Sequence, residues 1–388
     1  MLAIVICLLL TLAYVTLMIA YSEGWKRQKD FVMPSSSIVF SAKTEYQTAT
    51  FISIIIPARN ECRNIGGCIE SVLAQKYPAD LFEIIVVDDH SEDGTAEVVK
   101  KYADKNVRCI SLADHLAAGK KINAYKKAAI AAGIANSNGT LIVTTDADCT
   151  APDSWLLHIA AIYERDNPVM IVAPVIYSSD HSVLQMFQLI DFMSMQGITA
   201  AALNLKLGNM CNGANLAFSK DAFIRVGGYE GIEHLASGDD YLLIMKMNSF
   251  SPGRISYLKS VNAVVSTTPQ RDWRSFLQQR IRWASKSGKY NDPKLTVVLL
   301  LVYFFNLSFL LLLIGGIFYP EMFYTAGAMV VIKIIVEYVF LLPVARFFSS
   351  TWVLRYFAFL QPLHILYIIL AGFLGFVGGY KWKGRNVR

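Results

Sequence analysis

Four long apolar segments stand out from the pattern of hydrophobic and polar positions along the chain. They cover residues 1–21, 295–319, 322–343 and 353–379. Each segment is close to the roughly 20 residues that an α-helix needs to cross the hydrocarbon core of a bilayer. The sequence therefore predicts an N-terminal transmembrane anchor at 1–21 and about three further membrane segments within 295–379.

The apolar runs between residues 51 and 270 are shorter and stop at turn-forming or acidic residues. They cover residues 51–56, 82–87 and 141–143, with helical patterns over 64–74 and 95–102 between them. Short continuous apolar runs are typical of strands that are buried on both faces. Strands that alternate with helices predict a parallel α/β sheet, which binds its ligands at the carboxyl ends of the strands.

Polar and acidic side chains follow each of the three predicted strands. Pro57-Ala58-Arg59-Asn60-Glu61 follows the first, Asp88-Asp89 follows the second, and Asp146-Ala147-Asp148 follows the third. A single acidic pair after a strand is usually a helix cap or a turn. Its repetition at successive strand ends predicts a common binding site at that edge of the sheet.

The spacing of Asp146 and Asp148 favours metal binding. Two carboxylates at positions i and i+2 beyond a strand can converge on a hard divalent cation, and Mg²⁺ and Mn²⁺ prefer oxygen ligands. A cation at that position neutralises the charge of a departing diphosphate. The sequence therefore predicts that Asp146 and Asp148 bind Mg²⁺ or Mn²⁺.

Two further motifs follow later in the chain. Ser237-Gly238-Asp239-Asp240 precedes a predicted helix that starts near Tyr241, where an acidic residue is a natural cap. Gln279-Arg280-Ile281-Arg282-Trp283 lies on a predicted amphipathic, interfacial helix over residues 271–294, just before the membrane segments. Arg and Trp beside a bilayer are also typical of a juxtamembrane belt, so neither motif alone decides between a structural and a catalytic role.

Taken in chain order, these three acidic motifs and the Gln-x-x-Arg-Trp box resemble membrane-bound family 2 glycosyltransferases over about residues 50–290. The resemblance includes processive β-polysaccharide synthases and ceramide-glucosyltransferase-like enzymes. It implies an α/β fold of the GT-A type, Rossmann-like and nucleotide-binding, in a cytosolic domain joined to α-helical transmembrane segments. It also implies an inverting hexosyltransferase that moves a sugar from a UDP-sugar donor to a growing polysaccharide or a lipid, with a β-linkage.

The same resemblance implies roles for individual residues. Asp240 aligns with the general base and Asp239 with its neighbour, where the family usually has Glu-Asp, and Asp88 binds the uracil edge. The residues implied to contact the nucleotide or substrate are Pro57, Ala58, Asn60, Glu61, Asp88, Asp89, Lys120, Asp146, Gln279, Arg282 and Trp283. His90 replaces the glycine that is common after this acidic pair, and we interpret it as a surface or turn residue.

Alternatives remain open beside this interpretation. The product is either a polymer or a single glycolipid. A catalytically silent nucleotide-binding or transport protein is disfavoured, because each position where the family has an acid still has one. A nucleotidyltransferase also uses a metal and paired acids, but it does not explain the Gln-x-x-Arg-Trp box. A solvated basic face explains Gly119-Lys120-Lys121 nearly as well as a nucleotide contact does.

The composition favours a membrane enzyme over a soluble or nucleic-acid-binding protein. Of 388 residues, 54% are hydrophobic and 17% are charged, with a mean hydropathy of +0.40. A net charge of +6 fits an enzyme beside anionic lipids and an anionic nucleotide, and the chain lacks the Lys/Arg-rich tract that favours nucleic acid. The six cysteines show no paired metal-ligand spacing, so we expect reduced thiols. The sequence identifies no partner subunit.

Charges next to the apolar segments predict the orientation in the membrane. Lys26, Arg27 and Lys29 follow the first segment, which favours an uncleaved anchor over a signal peptide. They also favour a multi-pass protein of an inner or plasma membrane whose catalytic domain is cytoplasmic. Three later crossings would leave the basic tail at 380–388 outside. One resolution is that Pro362 breaks the last segment into a re-entrant or interfacial piece.

Lys333 and Glu337 lie on one helical face inside the third apolar segment. A charge at membrane depth is a candidate functional residue, and a neutralising pair packed between helices explains it as well.

The predicted domain order follows from these segments. It is an anchor at 1–21, a linker at 22–50, a GT-A domain at 51–270, an interfacial helix at 271–294, a transmembrane region at 295–379 and a basic tail at 380–388. Within the GT-A domain, we expect loops such as residues 191–212 to shape the sugar pocket.

Overall fold

The chain forms two compact units. The computed structural model of the protein describes residues 1–33, 50–116, 123–179, 181–208, 210–233, 235, 238–285, 292–377, 380–382 and 385–387. The sheet unit comprises Lys29–Ser178 and Met210–Thr268, and the helical unit comprises Met1–Gln28, Ser179–Asn209 and Pro269–Arg388. Residues 179–209, which lie within the predicted GT-A domain, therefore group with the helical unit.

The sheet unit is built from alternating strands and helices. Its strands are β1 (Ile52–Ala58), β2 (Phe82–Asp88), β3 (Val107–Ser111), β4 (Leu141–Thr144), β5 (Cys149–Thr150), β6 (Met170–Val172), β7 (Val175–Tyr177), β8 (Leu216–Ser219), β9 (Ile255–Tyr257) and β10 (Val265–Thr267). Its helices are α2 (Ile65–Leu73), α3 (Thr95–Lys100), α4 (Tyr125–Ala135), α5 (Trp155–Asp166), α7 (Lys220–Arg225) and α8 (Tyr241–Phe250).

The main sheet has seven strands in the order β3-β2-β1-β4-β8-β6-β9. Strands β3, β2, β1 and β4 are parallel, as the sequence predicts, so the loops after β1, β2 and β4 emerge at one edge. Strand β8 runs antiparallel to both β4 and β6, which makes the sheet mixed rather than wholly parallel. The alternation of strands and helices in the sequence does not encode this reversal. A small second sheet has the order β5-β10-β7.

Strand β1 continues through Pro57, where the sequence predicts that it stops. Its side chains from Ile54 to Ile56 are fully buried, as expected of a central strand. Its pairing with β4 ends at Ile55 opposite Thr144, whereas its pairing with β2 continues to Ala58 opposite Asp88. Pro57 therefore lies where only one neighbouring strand remains, and its missing N–H does not interrupt pairing on both sides.

The helical unit contains four helical stretches that are long and apolar enough to cross a membrane, among the residues the structure describes. Three are the helices α1 (Leu2–Arg27), α10 (Pro293–Gly316) and α11 (Glu321–Phe347), and the fourth, Thr351–Val377, joins a 3₁₀ turn to α12 (Phe357–Val377). Two further helices are α6 (Val183–Leu205) and α9 (Trp273–Ala284), and the last strands, β11 (Tyr380–Trp382) and β12 (Arg385–Val387), pair as a hairpin.

Three features of this unit differ from the sequence analysis. Helix α1 continues to Arg27, six residues past the predicted end of the anchor. Pro362 lies inside α12 and does not break it, although a proline there removes one backbone hydrogen bond of the helix. Residues 191–205, expected in a loop, belong to the 23-residue helix α6. That helix is apolar on most sides, so its sequence shows little helical periodicity.

The helices of this unit pack closely at small residues. A Cβ atom on Gly24 would lie 2.9 Å from the carbonyl oxygen of Ala201, so glycine lets α1 approach α6. On the same helix, Tyr14 stacks on Phe305 with 4.1 Å between the ring centroids. Close backbone approach and aromatic stacking are typical of helices that pack in a membrane.

Candidate active site

Asp88 ends strand β2 and keeps one buried acceptor without a donor. Its Oδ2 accepts a hydrogen bond from the backbone N–H of Ser91 at 3.3 Å. Its Oδ1 is buried and accepts no hydrogen bond from any residue that the structure describes. A buried acceptor that lacks a donor is costly, so this oxygen is suited to a donor on a ligand.

Asp89 holds the adjoining loops together. Its N–H donates to the carbonyl of Ala58 at 2.8 Å, and its Oδ1 lies 2.9 Å from Nδ1 of His90 and 3.7 Å from Arg59. His90 is exposed and has a positive φ of 54°, a conformation that glycine adopts without strain. This geometry agrees with the interpretation of His90 as a turn residue.

The loop after β1 is fixed to the loop after β2. The N–H of Asn60 donates to Oγ of Ser91 at 2.9 Å, and Oδ1 of Asn60 accepts from the N–H of Glu92 at 2.9 Å. The N–H of Glu61 donates to Oγ1 of Thr95 at 2.8 Å. Asn60 therefore has a structural role in this site, whereas the predicted contacts of Pro57, Ala58 and Glu61 with a nucleotide stay predictions.

Lys126 joins two of the acidic motifs. It lies in the first turn of α4, and its Nζ is 2.7 Å from Oδ1 of Asp146 and 3.2 Å from Oδ2 of Asp239. Burial disfavours the charged ammonium, but the carboxylates of Asp146 and Asp239 outweigh it and raise the pKa of Lys126 well above its ordinary value. The ammonium therefore remains charged and holds the two carboxylates near each other.

Sequence reasoning missed Lys126 and selected Lys120 instead, which lies outside the described residues. The available signal was a pair of consecutive lysines at the start of an otherwise mainly apolar helix. The second of them, Lys127, is buried and donates to the carbonyls of Ile232 and Leu235 at 2.8 and 2.6 Å. It thereby anchors the segment that leads to Asp239.

Asp240 caps helix α8. Its Oδ1 accepts the N–H of Tyr241 at 2.7 Å, and its Oδ2 accepts the N–H of Gly213 at 3.3 Å. A Cβ atom on Gly213 would lie 3.2 Å from Oδ2 of Asp239, so glycine leaves room for both acids. Asp239 is buried, and Asp240 is partly exposed. The cap that the sequence indicates is present, and the carboxylate of Asp240 has a fixed orientation.

The described residues around Asp146 and Asp148 fit a hard cation held jointly with a ligand. No group of three or more His, Cys, Asp or Glu side chains there is arranged to enclose an ion by itself. Two carboxylates from the protein, completed by phosphate oxygens, are a common way to bind Mg²⁺. The ammonium of Lys126 beside Asp146 also shows that this position attracts positive charge.

The thiols of the neighbouring cysteines favour their protonated form. Burial, followed by the charges of Asp148 and Asp146, raises the pKa of Cys68 to about 12. The same causes raise the pKa of Cys149 well above its ordinary value. All six cysteines are free, as expected. Asp146 and Asp148 supply carboxylate oxygens near the strand ends, and Mg²⁺ and Mn²⁺ prefer oxygen ligands.

The Gln-x-x-Arg-Trp box lies on α9 in the helical unit. Oε1 of Gln279 accepts a hydrogen bond from Nη1 of Arg280 at 2.7 Å, and the Arg280 guanidinium lies over the Trp283 ring at 4.2 Å. Arg282 and Trp283 are partly exposed. Sequence analysis named Gln279, Arg282 and Trp283 but missed Arg280 and its partner Asp191, whose separation of 89 residues left no local signal.

The comparisons with known sequences agree with these motifs. The sequence profile described as Glycosyl transferase family 2 matches residues 53–227, which include Asp88, Asp146 and Asp148. Glycosyltransferase AglE of Haloferax volcanii is 27% identical over 193 residues, 50% of this chain and 60% of that protein. A dolichyl-phosphate beta-glucosyltransferase of Trichomonas vaginalis is 35% identical over 116 residues, 28% of this chain and 31% of that protein. The chain thus spans less than two thirds of the length of either relative.

A solved structure shows the same fold over nearly the whole chain. It is the mannosyltransferase PcManGT from Pyrobaculum calidifontis in complex with GDP-Man and Mn²⁺, with 18% identity and a TM-score of 0.58. The match covers 96% of this chain and 98% of that chain. Residues 53–227 therefore match the glycosyltransferase family 2 profile, and the chain has an α/β, Rossmann-like fold of the GT-A type.

Proposed function

We propose that the protein is an inverting glycosyltransferase that moves a sugar from a UDP-sugar to a membrane-associated acceptor, with a β-linkage. The observation that carries this proposal is the convergence of Asp146, Asp239 and Asp240 around Lys126 and Gly213. It joins a metal-binding motif to a fixed carboxylate within one site. Such a combination supplies the two requirements of an inverting transfer, a stabilised leaving group and a general base.

Donor binding would use the ends of β2 and β4. The buried Oδ1 of Asp88 accepts a hydrogen bond from the imino group of a uracil ring, which satisfies the oxygen that lacks a donor. Asp146 and Asp148 would hold Mg²⁺ or Mn²⁺, and the bound cation neutralises charge on the diphosphate leaving group. Lys126 adds a second positive charge beside Asp146.

Asp240 would act as the general base toward the acceptor hydroxyl. Its two carboxylate oxygens each accept one backbone N–H, which fixes the carboxylate while leaving lone pairs for a further hydrogen bond. The proton of the acceptor hydroxyl passes to Asp240 as the hydroxyl oxygen bonds to the anomeric carbon. The sugar–phosphate bond breaks on the opposite face, and the configuration inverts.

The acceptor belongs to the membrane in this proposal. Four helical stretches of the described chain are long and apolar enough to span a bilayer, and one relative is named for transfer to dolichyl phosphate. Trp283 is suited to stacking on a sugar ring, and Arg282 to a diphosphate. We place the GT-A domain on the cytoplasmic side of an inner or plasma membrane, because Lys26 and Arg27 follow the first span.

UDP release by the detergent-purified protein tests the reaction. The protein is incubated with UDP-glucose, UDP-N-acetylglucosamine, UDP-galactose and GDP-mannose, each with Mg²⁺ or Mn²⁺ and a lipid extract. Release of UDP from one donor that stops on chelation and returns with metal supports the proposal. Release of GDP alone would show that the donor is a GDP-sugar and not a UDP-sugar. Release of pyrophosphate would indicate a nucleotidyltransferase.

The labelled product then identifies the acceptor class. A single organic-soluble glycolipid supports transfer of one sugar to a lipid, and a ladder of increasing length supports a polysaccharide synthase. An α-linked product, determined by NMR, would contradict the inverting mechanism. A protein that binds UDP but releases none from any donor, with any lipid fraction, would favour a silent nucleotide-binding protein.

A further inference from the structure

The buried guanidinium of Arg280 is held by a carboxylate from another helix. Nε and Nη2 of Arg280 on α9 donate to Oδ2 of Asp191 on α6, at 2.9 and 2.6 Å. The side chains of Asp191 and Arg280 are 4% and 3% exposed. A paired contact of this kind fixes the plane of the guanidinium as well as its position.

Arg280 in turn contacts two members of the Gln-x-x-Arg-Trp box. Its third nitrogen, Nη1, donates to Oε1 of Gln279 at 2.7 Å. Its guanidinium lies over the rings of Trp283 and Phe276, with 4.2 and 4.7 Å to the centroids. The orientation of Gln279 and Trp283 on α9 therefore depends on where Asp191 holds Arg280.

Asp191 is itself held from α12. Its Oδ1 accepts the hydroxyl hydrogen of Tyr367 at 2.8 Å, and Nε2 of His364 lies 3.9 Å from the same oxygen. Apolar side chains surround this junction: the buried Leu184, Phe187 and Phe276 pack with Leu360, Leu363 and Tyr367. Water is a poor competitor in such a setting, so the hydrogen bonds hold their geometry more firmly than exposed ones do.

The network continues to the charged pair in α11. Nδ1 of His364 lies 3.3 Å from Nζ of Lys333, which also donates to Glu337 at 2.5 Å and Gln361 at 2.8 Å. Nε2 of Gln361 donates to the other oxygen of Glu337 at 2.7 Å, and the hydroxyl of Tyr14 on α1 also donates to Glu337. Polar side chains thus follow one another from α9 to α1, in two hydrogen-bonded groups that approach each other where His364 lies 3.9 Å from Asp191.

The charges in this network cancel, so the network is not suited to binding an ion. Arg280 pairs with Asp191 and Lys333 pairs with Glu337, so no net charge remains to attract an anion or a cation. A buried network whose members satisfy one another specifies a unique arrangement of the helices that supply them. The network therefore sets the positions of side chains, including those of Gln279 and Trp283.

We propose that Asp191 is the positioning residue of the Gln-x-x-Arg-Trp box. Through Arg280 it fixes the side chains of Gln279 and Trp283, and through the hydroxyl of Tyr367 it couples them to α12. This inference rests on the proposed function in one respect, because it takes the box to contact substrate during sugar transfer. The arrangement of the side chains itself does not depend on the reaction.

Two readouts test the proposal with the full-length protein in detergent. The first is UDP release, analysed as kcat and as KM for the donor. The second is the fluorescence of Trp283, isolated from the other five tryptophans by subtracting the spectrum of the same protein with Trp283→Phe. Trp283 emission responds to the guanidinium above its ring, whether or not the protein transfers sugar.

Asp191→Asn is expected to lower kcat by about tenfold or more, because a small misplacement of a substrate-contacting group has that effect. The KM for the donor stays within about twofold, and the emission of Trp283 shifts. Asp191→Glu keeps a carboxylate and regains most of the kcat. Tyr367→Phe removes one hydrogen bond without changing charge and gives a smaller loss. Tyr324→Phe, which removes an exposed hydroxyl from α11, leaves both readouts unchanged.

A second variant keeps the test decisive where Asp191→Asn does not fold. Asp191→Asn combined with Arg280→Gln leaves no unpaired buried charge, and it is expected to show the same loss of kcat and the same spectral shift. A folded variant of either kind with native kcat and native Trp283 emission would overturn the proposal. If the native protein transfers no sugar from any donor, the proposed function fails, and unchanged Trp283 emission in Asp191→Asn would then overturn the positioning role separately.

Discussion

Lys126 and Asp239 form an ion pair of 3.2 Å in the sheet unit, and the same ammonium binds Asp146 at 2.7 Å. One cation therefore links Asp146, the first acid of the proposed metal-binding pair, to Asp239, the neighbour of the proposed base Asp240. Removal of the ammonium would leave two carboxylates close together with nothing between them, and like charges at that distance repel. The Lys126 ammonium thus stabilises the site, and it competes with any divalent cation for Asp146.

Replacement of Lys126 by methionine is expected to strengthen metal binding and weaken transfer. Asp146 loses its internal cation, so Mn²⁺ binds about fivefold more tightly, the effect of about 1 kcal/mol of charge interaction. The Kd for Mn²⁺, measured by titration calorimetry with UDP present, checks this. The control is Lys76→Met, which removes an exposed ion pair with Asp153. An unchanged Kd for Mn²⁺ in Lys126→Met would show that Lys126 does not compete for Asp146.

Replacement of Asp240 by asparagine is expected to abolish transfer while the fold is kept. Asparagine caps helices as well as aspartate does, so α8 keeps its N-cap. Loss of the base is expected to lower kcat by about 10²- to 10⁴-fold with UDP binding unchanged. The control is Asp272→Asn, which changes the N-cap of α9 in the same way. Native turnover by Asp240→Asn would exclude Asp240 as the base.

Replacement of Asp88 by asparagine is expected to weaken nucleotide binding and leave metal binding intact. A hydrogen bond to a charged group contributes about 1.5–3 kcal/mol, so the Kd for UDP rises by about tenfold or more. Equilibrium binding of UDP, compared with binding of inorganic diphosphate, separates the base from the phosphates. The Kd for diphosphate is expected to stay native in Asp88→Asn. The exposed control Asp104→Asn is expected to keep native Kd values for UDP and for diphosphate. Equal loss of UDP and diphosphate binding would contradict contact with the uracil ring.

Acid is expected to destabilise the sheet through Glu83. Burial opposes its charge, but hydrogen bonds from the N–H of Asn138, from Ser53 and from Arg108 outweigh it and lower the pKa of Glu83 below its ordinary 4.5. A carboxyl group whose pKa is lowered on folding stabilises the protein above pH 4.5. That stability is lost as the pH falls through the pKa of the folded state.

The variant Glu83→Gln tests this dependence on pH. It is expected to reduce the free energy of unfolding by about 2–3 kcal/mol at neutral pH, since it leaves Arg108 without its partner. Its deficit relative to the native protein shrinks as the pH falls below 4.5. Hydrogen exchange of the β1 and β2 amides measures the loss of unfolding free energy and its change with pH. The exposed Glu92→Gln variant is the control. A deficit that does not change with pH would mean that the carboxylate charge is irrelevant.

The sequence by itself determined the features that depend on neighbouring residues. Apolar runs ending in acidic residues located β1, β2 and β4 and the motifs that follow them, because burial on both faces leaves a continuous hydrophobic signature. The long apolar segments likewise indicated the helices that can cross a membrane. The order of the motifs was enough to identify the family that the sequence profile matches.

Only the tertiary structure decided the pairings between distant segments. Lys126 contacts Asp146, 20 residues away in the sequence, and Arg280 contacts Asp191, 89 residues away. No local sequence pattern predicts either contact. The antiparallel course of β8 and the helix over Val183–Leu205 were missed for a related reason. Periodicity reports which face of an element is buried, but not which element buries it. Ion pairs and strand directions are set by packing, which acts between residues that the sequence keeps apart.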